Sequence, residues 1–185
     1  DVQRLQMVTQ SGDNVGVCAV EGNFDDAQTG VKRIFSDKEL AAELEQRGWF
    51  LSSANSINWG RLLPQMTYYA HASLKHWREH ATPLNFVVPT GNLGNALACL
   101  LARRIGMPIG RIVLASNANA VLPDFFAGGD YAPGPGISTL ANAMDVGAPN
   151  NFERLQWLYP DAAELRTVLS AEAVDDASIR ATIID

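Results

Sequence analysis

Two patterns of apolar residues alternate along the first two thirds of the chain. Short, unbroken apolar runs rich in branched side chains read as buried strands: NVGVCAV at 14–20, WFLSS at 49–53, NFVVPT at 85–90 and RIVLASN at 111–117. Between them, apolar residues recur three and four apart. Ala27, Val31, Ile34 and Phe35 mark one helix, opened by Asp25 with Gln28 three residues later, the logic of a capping box. Ser36 and Glu39 repeat the start signal, Leu40 and Leu44 continue a second helix, and Gly48 stops it. Leu62, Met66, Tyr69, Ala70, Ser73 and Trp77 define one face of a long helix that Thr82-Pro83 ends. Residues 95–105 predict a helix that is apolar nearly all round. Arg103 and Arg104 sit at its negative end, and Gly106 and Pro108 close it.

Strands joined by crossover helices imply a parallel sheet with right-handed connections. The expected class is α/β: an open parallel three-layer sandwich, Rossmann-like, with four or so parallel strands and helices on both faces. Beyond residue 128 the pattern changes. GGDYAPGPG is a Gly/Pro-rich loop, and residues 151–183 carry helix-like segments with no further strand. The division expected is a core over 1–130 and, over 131–185, a loop followed by a C-terminal helical appendage.

Composition narrows the function. The chain of 185 residues is 47% hydrophobic and 18% charged, an ordinary globular balance. Its net charge is −6 and its densest basic cluster is the pair Arg103–Arg104, which argues against nucleic acid or an anionic membrane as partner. Cys18 and Cys99 fall in apolar patterns and read as buried, inert thiols of a cytoplasmic protein. No apolar run is long enough for a membrane span, and no secretory leader pattern precedes the first strand. The chain starts at Asp1 without a methionine, so it is expected to be a piece of a longer protein.

In an open parallel sheet, ligands bind beyond the carboxyl ends of the strands. The segments there are EGN, ANSIN, TGNLGN and NANA, all built of small polar residues and nearly free of charge. TGNLGN (90–95) has two readings. Gly91 and Gly94 supply turn dihedrals with Asn95 as a helix cap, or they let bare backbone N–H groups and the helix dipole approach a phosphate. It is neither a Walker loop nor the GxGxxG fingerprint. The neighbouring bend favours the phosphate. Ser56 and Arg61 sit at the same expected sheet edge, and a single arginine in an uncharged loop is suited to gripping a dianion. Two such bends serve one phosphate held from two sides, or two phosphates.

Other signals carry less. His76-Trp77-Arg78-Glu79-His80 matches a zinc pattern, but it occupies the last turn of a helix and the only other histidine is His71, so no metal is expected. Asp25 and Asp26 fit helix-start acids better than a catalytic carboxylate pair. Tyr68, Tyr69 and Trp157 read as packing residues.

VEGNFDDAQ, NSINWGRLLPQMTYY, FVVPTGNLGN and NFERL, in that order, resemble threonine synthase of the longer bacterial and fungal type, a fold-type-II pyridoxal-phosphate (PLP) family, over residues 5–158. The resemblance implies conversion of O-phospho-L-homoserine and water to L-threonine and phosphate. It places the cofactor phosphate at Thr90, Gly91, Asn92, Leu93, Gly94 and Asn95. It places the substrate phosphate at Asn55, Ser56, Asn58 and Arg61. It also implies a Schiff-base lysine, with the cofactor as electron sink. The only lysines here are Lys32, Lys38 and Lys75, each inside a helical pattern, so the Schiff-base lysine is expected upstream of Asp1. The fragment alone is expected to be inactive and to depend on the remaining domains of its own chain. The competing expectation is a non-catalytic phosphate- or nucleotide-binding module.

Overall fold

The computed structural model describes every residue except 1–4, 6, 7, 10, 23, 55, 57 and 185, together with all side chains of the described residues but those of Phe24 and Asp25. Three strands form a parallel sheet in the order β1 (Leu84–Pro89), β2 (Ile109–Ser116), β3 (Leu169–Ala173). In chain order the helices are α1 (Phe24–Ser36), α2 (Lys38–Gln46), α3 (Trp59–Leu62), α4 (Met66–His80), α5 (Gly94–Arg104), α6 (Val121–Phe126), α7 (Phe152–Leu158), α8 (Ala162–Val168) and α9 (Asp176–Ile184).

The core sits between the sheet and α5. Phe86 and Val88 of β1 stand level with Ile112 and Leu114 of β2, and Ile112 in turn with Leu169 of β3. α5 packs on this sheet and on α4 and buries Leu97, Ala98, Cys99 and Leu100 completely. Burying each leucine stabilises by about 1.5–3 kcal/mol. The alternation on β1 is sharp: Val88 is 2% exposed and Val87, facing the other way, 69%. No described helix is long and apolar enough to cross a membrane.

The α/β class and the parallel pairing agree with the sequence pattern, and five elements differ. Among the described residues, 14–20 and 49–53 join no ladder, and the only pairing near them is an isolated bridge between Gly12 and Val15. Trp49 and Phe50 are 69% and 78% exposed. An apolar run signals a need for cover, and no described strand lies beside these two to supply it. Conversely, residues 151–183 do contain a strand. LSAEA lacks β-branched residues and is half open to solvent, so composition hides it; its pairing with β2 is what makes it a strand. The long helix expected from Leu62 is interrupted by a 3₁₀ turn at Leu63–Gln65, where Pro64 cannot donate to the preceding turn. Finally, α2 is capped by Asp37, whose carboxylate accepts from Leu40 N at 2.9 Å, while the Ser36 hydroxyl donates to Arg33 O. The capping role read for Asp25 lies outside the described side chains.

The two thiols part company. Cys99 is buried, and burial pushes its pKa up to about 12, with Arg103 pulling weakly the other way. Cys18 is exposed, contrary to the buried position its apolar run suggests, because that run has no strand partner. Titration of this chain with a thiol reagent should therefore find one fast-reacting cysteine when native and two in denaturant. Two fast thiols under native conditions would contradict the packing of α5.

Candidate functional site

The site grows from the carboxyl end of β1. Thr90 leaves β1 tied to the sheet twice, its N–H donating to Ala115 O of β2 at 2.8 Å and its hydroxyl to Val88 O of β1 at 2.7 Å. The chain then turns sharply. Leu93 adopts φ 64°, a left-handed conformation unusual for a branched residue, yet its side chain is 2% exposed. Core burial of that side chain holds the turn in shape. Gly94 then starts α5. Among the described residues, no acceptor meets the backbone N–H groups from Gly91 to Asn95. They lie where the positive end of the α5 dipole adds to their partial charges, a combination suited to an anion.

Close approach favours glycine at the first end of this turn and requires it at the second. A Cβ at Gly91 would stand 3.0 Å from Val146 Cγ2, and one at Gly94 would stand 2.6 Å from Ser56 Cβ. The second contact decides the geometry. The Ser56 bend and the Gly91–Asn95 turn lie against one another on a single rim.

The other expected residues divide by where their side chains go. Asn58 caps α3, accepting from Gly60 N at 2.8 Å, and donates to Ser53 O at 2.6 Å. Arg61 is exposed and donates to Ala54 O at 2.8 Å, which holds the 54–61 bend closed on itself. Asn55 lies outside the described residues. Asn95 does not turn its amide to the rim. It accepts from Tyr69 OH at 2.5 Å and donates to Gln65 Oε1 at 2.7 Å and to Tyr68 OH, so it joins α5 to the start of α4. Burial, with smaller contributions from Cys99 and Tyr68, holds the Tyr69 phenol well above its ordinary pKa and keeps it a donor to Asn95.

Asn92 faces the Asn150–Asn151 pair at the start of the NFERL motif, to which sequence reasoning gave no place in the site. Its Oδ1 accepts from Asn150 N at 3.1 Å and from Asn150 Nδ2 at 3.2 Å; the latter also donates to Gln28 Oε1. The neighbouring Asn151, 1% exposed, donates from Nδ2 to Asn92 O at 2.9 Å and to Ser56 Oγ at 3.2 Å. Arg154, one turn into α7, donates to Asn151 Oδ1 at 2.7 Å and to Ser56 O at 3.1 Å, and its guanidinium lies 4.7 Å from the Trp59 ring centroid. Burial pulls the pKa of Arg154 down from the usual guanidinium range. An Asn-Asn pair ahead of a helix reads locally as a cap; nothing local announces partners on two distant bends.

The NANA loop after β2 takes up structural work. Asn117 donates to Asp145 Oδ1 at 2.7 Å and to Thr139 Oγ1 at 2.8 Å, while Asn119 exchanges hydrogen bonds with the Ile137 backbone. This network ties the Gly/Pro-rich loop to the sheet edge and carries Val146 against Gly91. Two polar side-chain atoms at this end, Gln28 Nε2 and Ser116 Oγ, are buried with no hydrogen-bond partner among the described residues. The HxxEH pattern stays on the last turn of α4, where His76 meets the Thr82 hydroxyl. No cluster of three or more potential metal ligands occurs among the described residues.

No family profile matches the chain. It is similar to curated and solved proteins. A threonine synthase of Pseudomonas aeruginosa is 41% identical over 155 residues, covering 84% of this chain and 32% of that protein. The crystal structure of the Escherichia coli threonine synthase superposes with a TM-score of 0.81 at 39% identity, covering 92% of this chain and 39% of that one. A PLP-bound threonine synthase from Brucella melitensis gives 0.74 at 33% identity, covering 94% of this chain and 42% of that one. The chain thus spans between 32% and 42% of the length of these three relatives.

Proposed function

We propose that this chain, a homologue of the threonine synthases over most of its own length, supplies the phosphate-holding part of a threonine synthase that converts O-phospho-L-homoserine and water to L-threonine and phosphate. The observation that carries this is the contact of the Ser56 bend with Gly94, which puts two anion-suited bends on one rim. One bend offers five consecutive N–H groups at a helix start with no acceptor among the described residues; the other offers a hydroxyl and an arginine.

The residues present fit PLP. Gly91 and Gly94 form a cradle in which a Cβ would be tight at the first and collide with Ser56 at the second, and the Ser116 hydroxyl, without a partner among the described residues, lies buried at the end of the neighbouring strand. Gly91 to Asn95 would hold the cofactor phosphate through backbone N–H groups, with the Asn95 amide bracing the helix start rather than touching the ligand. Bound there, the cofactor would supply an electron sink for a carbanion at the carbon next to the substrate nitrogen. Ser56, Asn58 and Arg61 would form the substrate bend, with Asn55 part of the same proposal. Ser56 would donate a hydrogen bond to the leaving phosphate and Arg61 would neutralise its charge, while Asn58 keeps the bend in shape. Orienting that group fixes the carbon chain relative to the cofactor.

Lys32, Lys38 and Lys75 are all exposed on helices, so a lysine for the cofactor would come from elsewhere in the full-length protein. The open apolar surfaces at Val87, Trp49 and Phe50 are where its remaining domains would pack. A cytoplasmic location belongs to the same proposal, supported by two free thiols.

Arg61→Ala in the full-length enzyme is the test. Substrate affinity should fall by about 2 kcal/mol, one charge-assisted contact, while cofactor absorbance is retained. Unchanged steady-state kinetics would remove Arg61 from the substrate bend.

A further inference from the structure

The NFERL segment, whose first and fourth residues tie both bends together, has no part in the function so far. We infer that Asn151 is a positioning residue for substrate phosphate: it turns the Ser56 hydroxyl into an obligate donor aimed at the anion. This rests on the reading of Ser56 as a substrate-phosphate ligand.

The argument is a count of protons and lone pairs. A primary amide has two N–H bonds and one acceptor oxygen. Arg154, which has no acceptor, donates to Asn151 Oδ1 at 2.7 Å and so identifies that atom as oxygen. The amide nitrogen must then face the other two partners, Asn92 O at 2.9 Å and Ser56 Oγ at 3.2 Å, and its two protons satisfy both. A carbonyl can only accept, so the proton toward Asn92 is certain, and the remaining proton goes to Ser56 Oγ.

Ser56 Oγ is thereby an acceptor toward Asn151, and its own proton must point elsewhere. No described residue accepts that proton, and Ser56 is only half buried. A phosphate oxygen arriving at the bend meets a hydroxyl already turned to donate. Without Asn151 the hydroxyl would be free to rotate and donate inward, to the Asn92 carbonyl or to a carboxylate placed at 151. Orientation set in advance spares the bend that rearrangement on binding. Arg154 completes the device by fixing the amide face, and its guanidinium is itself held over Trp59 and bonded to Ser56 O.

The experiment is a double-mutant cycle in the full-length enzyme with Asn151→Asp and Ser56→Ala. A carboxylate at 151 keeps the shape and the arginine contact but accepts the Ser56 proton. Asn151→Asp should raise KM for the phosphorylated substrate by about tenfold or more, the loss of one charge-assisted hydrogen bond. It should weaken competitive inhibition by inorganic phosphate by the same factor, with kcat changed far less and cofactor absorbance retained. In the Ser56→Ala background the same substitution should change KM by less than about twofold, because the hydroxyl it acts through is gone. Should Asn151→Asp fail to fold, Asn151→Ala runs the same cycle, with the same loss of additivity expected. Equal effects of the 151 substitution with and without Ser56, or an unchanged KM in both single variants at 151, would overturn the positioning role alone. A Ser56→Ala enzyme with normal KM and normal phosphate inhibition would overturn the substrate-bend reading and this inference with it.

Discussion

Gly94→Ala in the full-length enzyme is expected to weaken cofactor binding by about 100-fold or more and to raise KM at the same time. On helix propensity alone the change should help, since alanine is better than glycine in a helix by about 0.8–1 kcal/mol. The contact decides the sign. The new Cβ would lie 2.6 Å from Ser56 Cβ and 3.6 Å from Asn151 Nδ2, so the methyl cannot be accommodated without parting the two bends. Overpacking of this kind costs about 1–3 kcal/mol in stability, and the displaced bends lose further binding energy. Dialysis against buffer followed by cofactor absorbance, together with KM, checks both halves of the prediction. A variant that keeps its cofactor and its KM would mean that the bends are not in contact during turnover.

The second large effect lies in the core under the same rim. Phe152 follows Asn151 directly and is fully buried, stacked on Tyr131 at 3.6 Å between ring centroids and edge-on to Phe125 at 5.0 Å. Phe152→Ala should destabilise the fold by about 3–5 kcal/mol, the range for emptying a buried aromatic site. Phe152→Leu, which keeps most of the volume, should cost less. Urea unfolding followed by tryptophan fluorescence measures both. Because Phe152 anchors the segment that carries Asn151, loss of cofactor affinity should accompany loss of stability in the alanine variant. A loss of less than about 1 kcal/mol would mean that the Tyr131 stack is not part of the native core.

How far the sequence reaches into this site can be judged residue by residue. β1, β2 and α5 are legible because their signals are local: apolar runs for the strands, an all-apolar helix ended by Gly106 for α5. Gly91, Gly94 and Ser56 are legible as loop residues with too little charge and too much glycine and asparagine for an ordinary surface turn, and the family resemblance sharpened them. Asn92 and Asn95 are legible by position but not by direction. Asn92 reaches Asn150, and Asn95 reaches Tyr69 and Gln65. β3 was hidden by composition, while the apolar runs at 14–20 and 49–53 looked like strands and joined no ladder.

By itself, then, the order of residues determined the α/β class, most helices and the turn that bares N–H groups ahead of α5. These depend on side-chain size, branching and backbone freedom within a few neighbours, all of which linear order records. Only the tertiary structure decided that Ser56 lies against Gly94, that Asn151 joins the two bends, and that LSAEA pairs with β2. Asn151 is 95 residues from Ser56 and 59 from Asn92, and which distant amide meets which carbonyl follows from how the core packs. No periodicity along the chain encodes that choice, because each side chain's local pattern is equally satisfied by water or by several other partners.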